Sequence, residues 1–233
     1  MNVQVLKVED VSFYYGKEKV LNNINFTVNS GEFVILTGEN GAAKTTLIRN
    51  ILGLLTPATG TVKIPKMNQV GKPLRIGYVP QNVTAFNAGF PSTVQQLVES
   101  GRYPNGKWFK RLTKHDFEHV DKALESVGMT EFRDRKIGEL SGGQKQRINL
   151  ARVFAMDPDF FVLDEPTSGM DISSRRSFYR LLRHSAKEHN KAILMVTHAD
   201  QEVKDFYTRH IHLYREEDSP WRCFSMTSSN EPF

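Results

Sequence analysis

Short runs rich in β-branched and aromatic residues recur along the chain and predict strands at 3–8, 23–28, 33–37, 61–64, 76–79, 160–163, 192–196 and 210–214. Two of them, Phe33-Val34-Ile35-Leu36 and Ile193-Leu194-Met195-Val196, are apolar at every position, as strands covered on both faces are. Between 81 and 160 the period changes to a helical one. Val94, Leu97 and Val98 fall on one stripe, and Phe117, Val120, Leu124 and Val127 on another. Helices are also predicted over 46–53 and 173–189. The layout is that of one α/β domain over 1–233, with a core from 1–80 and 155–233 and a helical subdomain inserted at about 82–154. No internal repeat and no low-complexity linker interrupts it.

Composition narrows this picture modestly. The 233 residues suffice for one buried core. The excess of 31 Lys and Arg over 26 Asp and Glu suits nucleotide phosphates, nucleic acid or an anionic membrane surface without choosing among them. The single cysteine, Cys223, excludes an intramolecular disulfide. No apolar run nears the roughly 18 residues that cross a bilayer, and the first ten lack the apolar stretch of a signal peptide. A cytosolic chain is expected, with any membrane role reached through a partner.

Three motifs carry chemistry. Gly38-Glu39-Asn40-Gly41-Ala42-Ala43-Lys44-Thr45-Thr46 follows an apolar strand and opens a helix. This is nearly the phosphate-binding P-loop, whose backbone N–H groups and helix N-terminus face anionic phosphates. Lys44 is placed to reach the terminal phosphates of ATP and Thr45 to coordinate Mg²⁺. Ala43 stands where the pattern has glycine. At positive φ it would be strained by on the order of 1 kcal/mol, but its place at the helix start predicts a helical φ and little cost. Phe160-Phe161-Val162-Leu163-Asp164-Glu165 is an apolar strand ending in two acids, of which Asp164 can hold the Mg²⁺ shell and Glu165 can act as general base on water. Standing alone, the pair would read as solvated acids. The third motif, Leu140-Ser141-Gly142-Gly143-Gln144, precedes a helical run and offers N–H groups and a hydroxyl to a phosphate.

With this third motif in order behind the other two, the chain resembles the ABC ATPase family over nearly its whole length. The resemblance implies a P-loop NTPase core with N-terminal antiparallel strands and an inserted helical subdomain. It also implies a head-to-tail homodimer in which Ser141, Gly142, Gly143 and Gln144 of one copy meet the ATP on the other copy's P-loop. It assigns adenine stacking to Tyr15, with Tyr14 as the neighbouring candidate, the Q-loop role at metal and water to Gln81, the D-loop to Ser168-Gly169-Met170-Asp171, and the switch contact with the γ-phosphate to His198. A soluble ABC ATPase of translation or DNA maintenance fits poorly. About a hundred residues separate Gly38 from Ser141, with no sustained heptads between them.

Residues 90–94 and 100–104 resemble the metal-ion importer branch, and 38–46, 86–90 and 219–224 the zinc importers of Gram-positive bacteria. The implied partners are a second copy, a membrane permease dimer on whose cytoplasmic face the chain sits, and, indirectly, an extracellular metal-binding protein, with no nucleic acid. Manganese or an iron chelate remains the alternative cargo. The aromatic stretch Phe86, Phe90, Pro91, Val94, Tyr103, Trp108 and Phe109 is a candidate docking surface for the permease, although about half of it is expected to fill the core of the insertion. His210 and His212 lie on one strand face near Cys223 in sequence. Their spacing matches no closed zinc pattern, so surface or packing histidines are the first expectation and a regulatory zinc site the second.

Overall fold

The computed structural model describes residues 3–81, 91–103, 111–198, 200–215 and 224–230. Its strands are β1 (Gln4–Tyr15), β2 (Glu18–Asn29), β3 (Phe33–Gly38), β4 (Thr59–Lys63), β5 (Ile76–Val79), β6 (Phe160–Asp164), β7 (Ala192–Val196), β8 (Arg209–Arg215) and β9 (Phe224–Asn230). The helices are α1 (Lys44–Ile51), α2 (Val94–Ser100), α3 (Lys114–Ser126), α4 (Gly142–Met156), α5 (Ile172–His189) and the single turn α6 (Asp200–Val203). All nine strands form one sheet in the order β4-β1-β2-β9-β8-β3-β7-β6-β5. β4, β1 and β2 pair antiparallel, whereas β8, β3, β7, β6 and β5 run parallel.

The apolar runs are explained by two cores, one on each face of the parallel strands. Phe33, Ile35, Phe161, Leu163, Ile193 and Met195 join a cluster with α2, α3, α4 and α5. The alternating residues Val34, Leu36, Phe160, Val162, Leu194 and Val196 join a second cluster with α1, β1 and β2. Every residue of β3, β6 and β7 is therefore buried, and any slip of register by one would exchange the faces.

Several elements differ from expectation. β1 and β2 run well past 3–8 and 23–28, because they pair with each other along a bulged ladder with Asp10 and Asn23 at positive φ. α1 starts at Lys44, not at 46. β9 was not foreseen. Its burial rests on Phe224, and its ladder on β8 and one pairing with β2. Val94, Leu97 and Val98 are core, as are Val120, Leu124 and Val127, but Phe117 is 41% exposed. The inward residue of that first turn is Asp116, and its neighbour, turned by about 100°, must point outward. Val94 is fully buried and so is no docking residue. Tyr103 is half-buried. Phe86, Phe90, Trp108, Phe109 and Cys223 lie outside the described residues. Among those described, no helix is long and apolar enough to cross a membrane.

Asp116 accepts from Arg102 Nη2 at 2.8 Å, with the two side chains only 3% and 12% exposed. Arg102 also donates to the Ala155 carbonyl at 2.8 Å, so one guanidinium joins the end of α2, the start of α3 and the end of α4. Arg102→Met should leave the buried Asp116 carboxylate without this cation, with the bonds from Thr113 still made to it, and cost about 3–5 kcal/mol. Urea unfolding checks this, and a loss below 1 kcal/mol would show that the pair is not what holds these helices.

Candidate active site

The parallel strands deliver their chemistry at one edge, outside their C-terminal ends, as open α/β sheets do. β3 ends at Gly38, β6 at Asp164, and β5 and β7 run out toward Gln81 and His198.

The P-loop turns from β3 into α1. Gly38 has φ 154°, and a Cβ there would come within 2.7 Å of the Leu213 carbonyl oxygen on β8. Gly41 lies at φ 84°. Lys44 is buried, and its Nζ donates to the carbonyls of Gly38 at 2.8 Å and Glu39 at 2.9 Å. The ammonium is thus held by the two carbonyls at the start of the loop. Burial pulls its pKa below the usual lysine range, against the attraction of Glu165 and Asp164. Thr45 Oγ1 donates to Asp164 Oδ2 at 3.2 Å. Burial pushes the Asp164 carboxyl upward and the neighbouring Glu165 charge adds to this, while the bond from Thr45 and the charges of Lys44 and Arg49 oppose it.

Ala43 is not helical. It caps α1 at φ 57°, ψ 18°, in the left-handed region. The expectation of a cheap alanine fails because the loop must reverse direction within the residue that precedes the first helical turn, and that turn takes a positive φ whichever side chain is present.

Glu165 is held on both sides. Gln81 Nε2 donates to Oε2 at 2.9 Å, and His198 Nε2 lies 2.9 Å from Oε1. The residue itself is at φ 48°, strained backbone of the kind that collects at functional sites. Ser168 Oγ donates to its carbonyl at 3.1 Å and fixes the turn that follows.

Tyr15 rather than Tyr14 faces the loop. Its hydroxyl lies 3.4 Å from Thr46 Oγ1, its ring stands edge-on to Phe13, and it is 47% exposed. Tyr14 carries Lys19 over its ring instead.

The Leu140–Gln144 motif is placed apart from this group. Ser141 caps α4 in a reciprocal pair with Gln144: its Oγ accepts from Gln144 N at 3.3 Å, and its N donates to Gln144 Oε1 at 2.9 Å. Gly142 is exposed, and Gly143 backs onto Gly169, where a Cβ would meet the carbonyl at 3.3 Å. Asp171 caps α5, and bonds from Ser174 and Ser173 hold its carboxyl well below the usual range.

Two links were not anticipated from sequence. Arg147 of α4 reaches Asp171 at 3.5 Å, and Gln146 Nε2 donates to the Pro80 carbonyl at 3.5 Å. Both tie the helix behind Ser141 to the edge that holds Glu165. Arg147 and Gln146 stand in a polar helical stretch, where nothing in the sequence separates them from ordinary surface residues.

A phosphate cradle at the head of α1, backed by a hydroxyl–carboxylate pair and a gripped strand-end glutamate, defines a P-loop nucleoside triphosphatase. The model of the ABC transporter family matches residues 21–168, and the chain belongs to that family, as its ATPase domain. It is 59% identical to the zinc transport system ATP-binding protein AdcC of Streptococcus pneumoniae, over 98% of both chains. It is 50% identical to the high-affinity zinc uptake system ATP-binding protein ZnuC of Bacillus subtilis, over 99% of this chain and 100% of that one. The manganese transport system ATP-binding protein MntB of Halalkalibacterium halodurans is 38% identical over 91% of this chain and 84% of its own. A dimeric ATP-binding cassette solved with ADP and Pi superposes with a TM-score of 0.77 over 98% of this chain and all of that one; at 24% identity it bears on the fold alone.

Ala43→Gly should release the left-handed strain of about 1–2 kcal/mol and return part of it as unfolded-chain entropy, a net gain of roughly 0.5–1 kcal/mol. Denaturant unfolding of the nucleotide-free chain checks this. A loss of stability would show that the Ala43 backbone is not strained, and ATP affinity should stay within a few-fold.

Proposed function

We propose that this chain is the ATP-hydrolysing subunit of an importer for a divalent metal ion, zinc above others, and that it works as a head-to-tail homodimer beneath a membrane permease dimer. The observation that carries the catalytic part is the Glu165 carboxylate held between Gln81 and His198, beside the Thr45–Asp164 pair. The cargo rests on the zinc relatives, which are nearer in sequence than the manganese one.

ATP is the substrate. Gly38, Glu39, Asn40, Gly41, Ala42 and Ala43 surround its phosphates with backbone, Lys44 neutralises the terminal ones, Thr46 closes the turn, and Tyr15 stacks on the base. The hydroxyl and carboxylate oxygens of Thr45 and Asp164, side by side, are the donor set a hard cation takes, so the residues fit Mg²⁺, which Thr45, Asp164 and Gln81 would hold. When bound, the ion supplies charge neutralisation at the β- and γ-phosphates. Glu165 accepts the proton of the attacking water. Gln81 orients that water and senses its departure, while His198 bridges Glu165 and the γ-phosphate. Ser141, Gly142, Gly143 and Gln144 close over the ATP of the other copy, and Asp171 lines the junction between copies.

Motion leaves through the segment of about 82–154, whose entry is Gln81. The Gln146–Pro80 and Arg147–Asp171 contacts let a change at Glu165 be felt at α4. A permease helix docks beside this entry, with at least one of Phe86, Phe90 and Tyr103 in contact with it.

Glu165→Gln should keep ATP binding but slow hydrolysis by on the order of 10²–10⁴-fold, the span of a lost general base. Single-turnover hydrolysis measures it, and near-normal turnover would remove Glu165 from the role. A strain deleted for this chain should fail to grow under zinc limitation. The native chain should restore growth and Glu165→Gln should not. A defect confined to manganese limitation would overturn the zinc assignment while leaving the catalytic one intact.

A further inference from the structure

Six of the seven histidines stand in ring pairs: His115 with His119 at 4.6 Å, His184 with His189 at 5.1 Å, and His210 with His212 at 6.2 Å between centroids. Only for the last pair does the geometry converge on one point. His210 Nε2 lies 2.6 Å and His212 Nδ1 2.8 Å from the same atom, Thr37 Oγ1. Positions 210 and 212 share a face of β8 by strand periodicity, and the parallel register sets Thr37 of β3 opposite His212. Thr37 is buried, His210 half-buried and His212 exposed, so the cluster has a fixed floor and an open side.

A hydroxyl has one proton. It can donate to one imidazole nitrogen at most, so at least one of the two facing nitrogens carries hydrogen and donates to Thr37 Oγ1. With the ring protons on the nitrogens that face away, two imidazole lone pairs and a hydroxyl oxygen would turn toward a common centre. Tetrahedral coordination at the usual Zn–N length sets ligand atoms about 3.3 Å apart, so the contacts of 2.6 Å and 2.8 Å would open by about 0.7 Å and about 0.5 Å. Imidazole donors suit zinc, copper and nickel over magnesium or calcium. Among the described residues no cluster of three or more His, Cys, Asp or Glu side chains is arranged for a metal. A site with two imidazoles, one neutral oxygen and water for the rest is therefore an exchangeable one, not a closed structural centre.

We infer that Thr37, His210 and His212 form a binding site for a divalent transition-metal ion of the zinc, copper and nickel class. The site is outside the nucleotide pocket but joined to it by backbone. Thr37 precedes Gly38, Leu213 follows His212, and Gly38 packs so closely on the Leu213 carbonyl that no side chain fits between them. An ion held here clamps β8 to the strand that leads into the P-loop. The inference does not depend on which cargo the importer carries.

The test is equilibrium titration of the full chain with Zn²⁺ against a chromophoric chelator, with the nucleotide pocket filled by a non-hydrolysable ATP analogue and Mg²⁺. The native chain should compete for Zn²⁺, His212→Gln should bind at least about tenfold more weakly, and Thr37→Ser should bind as the native chain does. His212 is exposed, so its replacement should leave the unfolding midpoint unchanged. His210→Gln provides a second variant with the same expected loss. Electron paramagnetic resonance of the Cu²⁺-loaded native chain should show two imidazole nitrogens, reduced to one in either variant. Zn²⁺ affinity and copper spectra unchanged in both variants, or no competition by the native chain, would overturn the site.

Discussion

The parallel register of β3, β7, β6 and β5 is the constraint on which the rest depends. Phe33 pairs with Ile193, Phe160 with Ala192 and Ile76 with Phe160, so the four strands end level with one another. Only with that alignment do Gly38, Asp164, Gln81 and His198 arrive at one edge. The alignment is enforced by burial on both faces. Each strand feeds alternate side chains into two separate cores, and a slip of one residue would exchange the two sets. Hydrophobic packing far from the phosphates thus sets distances of about 3 Å among polar groups.

Against that stiff frame, the described positive-φ residues other than Gly, Asn and Asp lie where the chemistry is. Ala43 and Glu165 both take positive φ, one at the mouth of α1 and one at the end of β6. Each is a residue for which that backbone is costly, and each is fixed by its neighbours. Ala43 is the cap through which β3 turns into α1, and Glu165 donates its N–H to the Val196 carbonyl while its own carbonyl takes the Ser168 hydroxyl. The strained glutamate is aimed by Gln81 and His198 in place of conformational freedom. Asp164, one residue earlier, remains within the regular strand and serves the hydroxyl of Thr45.

What could be read from the sequence follows the same physics. Strands such as 33–37, 160–163 and 192–196 were legible because double burial leaves uninterrupted apolar runs. The residues at their ends were legible because motif spacing reports the strand–loop–helix path. β9 was not, since Phe224–Asn230 is rich in serine and is held by pairing with β8 and not by an apolar face. The left-handed Ala43 was hidden because its conformation is imposed by the loop's reversal, and alanine itself prefers a helix. The burial of Asp116 and exposure of Phe117 invert the hydrophobic stripe, because Arg102 comes from a different helix and no local period announces it. The convergence of His210 and His212 on Thr37 needed the β3–β8 register, which joins residues far apart in the chain.

The hydrogen bonds of the candidate site fall into two groups. Lys44, Thr45, Asp164, Glu165, Gln81 and His198 are gathered together, while Ser141 and Gln144 bond to each other at the head of α4. The account therefore requires that the missing part of each site come from a second copy, and mixing two defective chains tests this most directly. Lys44→Ala has a dead P-loop and a sound Leu140–Gln144 motif, the signature of the family, and Ser141→Arg the reverse. Each alone should hydrolyse ATP at background rate. Mixed, they should form heterodimers in which the P-loop of the Ser141→Arg chain meets the signature of the Lys44→Ala chain, and steady-state ATPase activity should reappear well above the sum of the two. A mixture that stays at background although the two chains are shown to associate would contradict a site shared between copies.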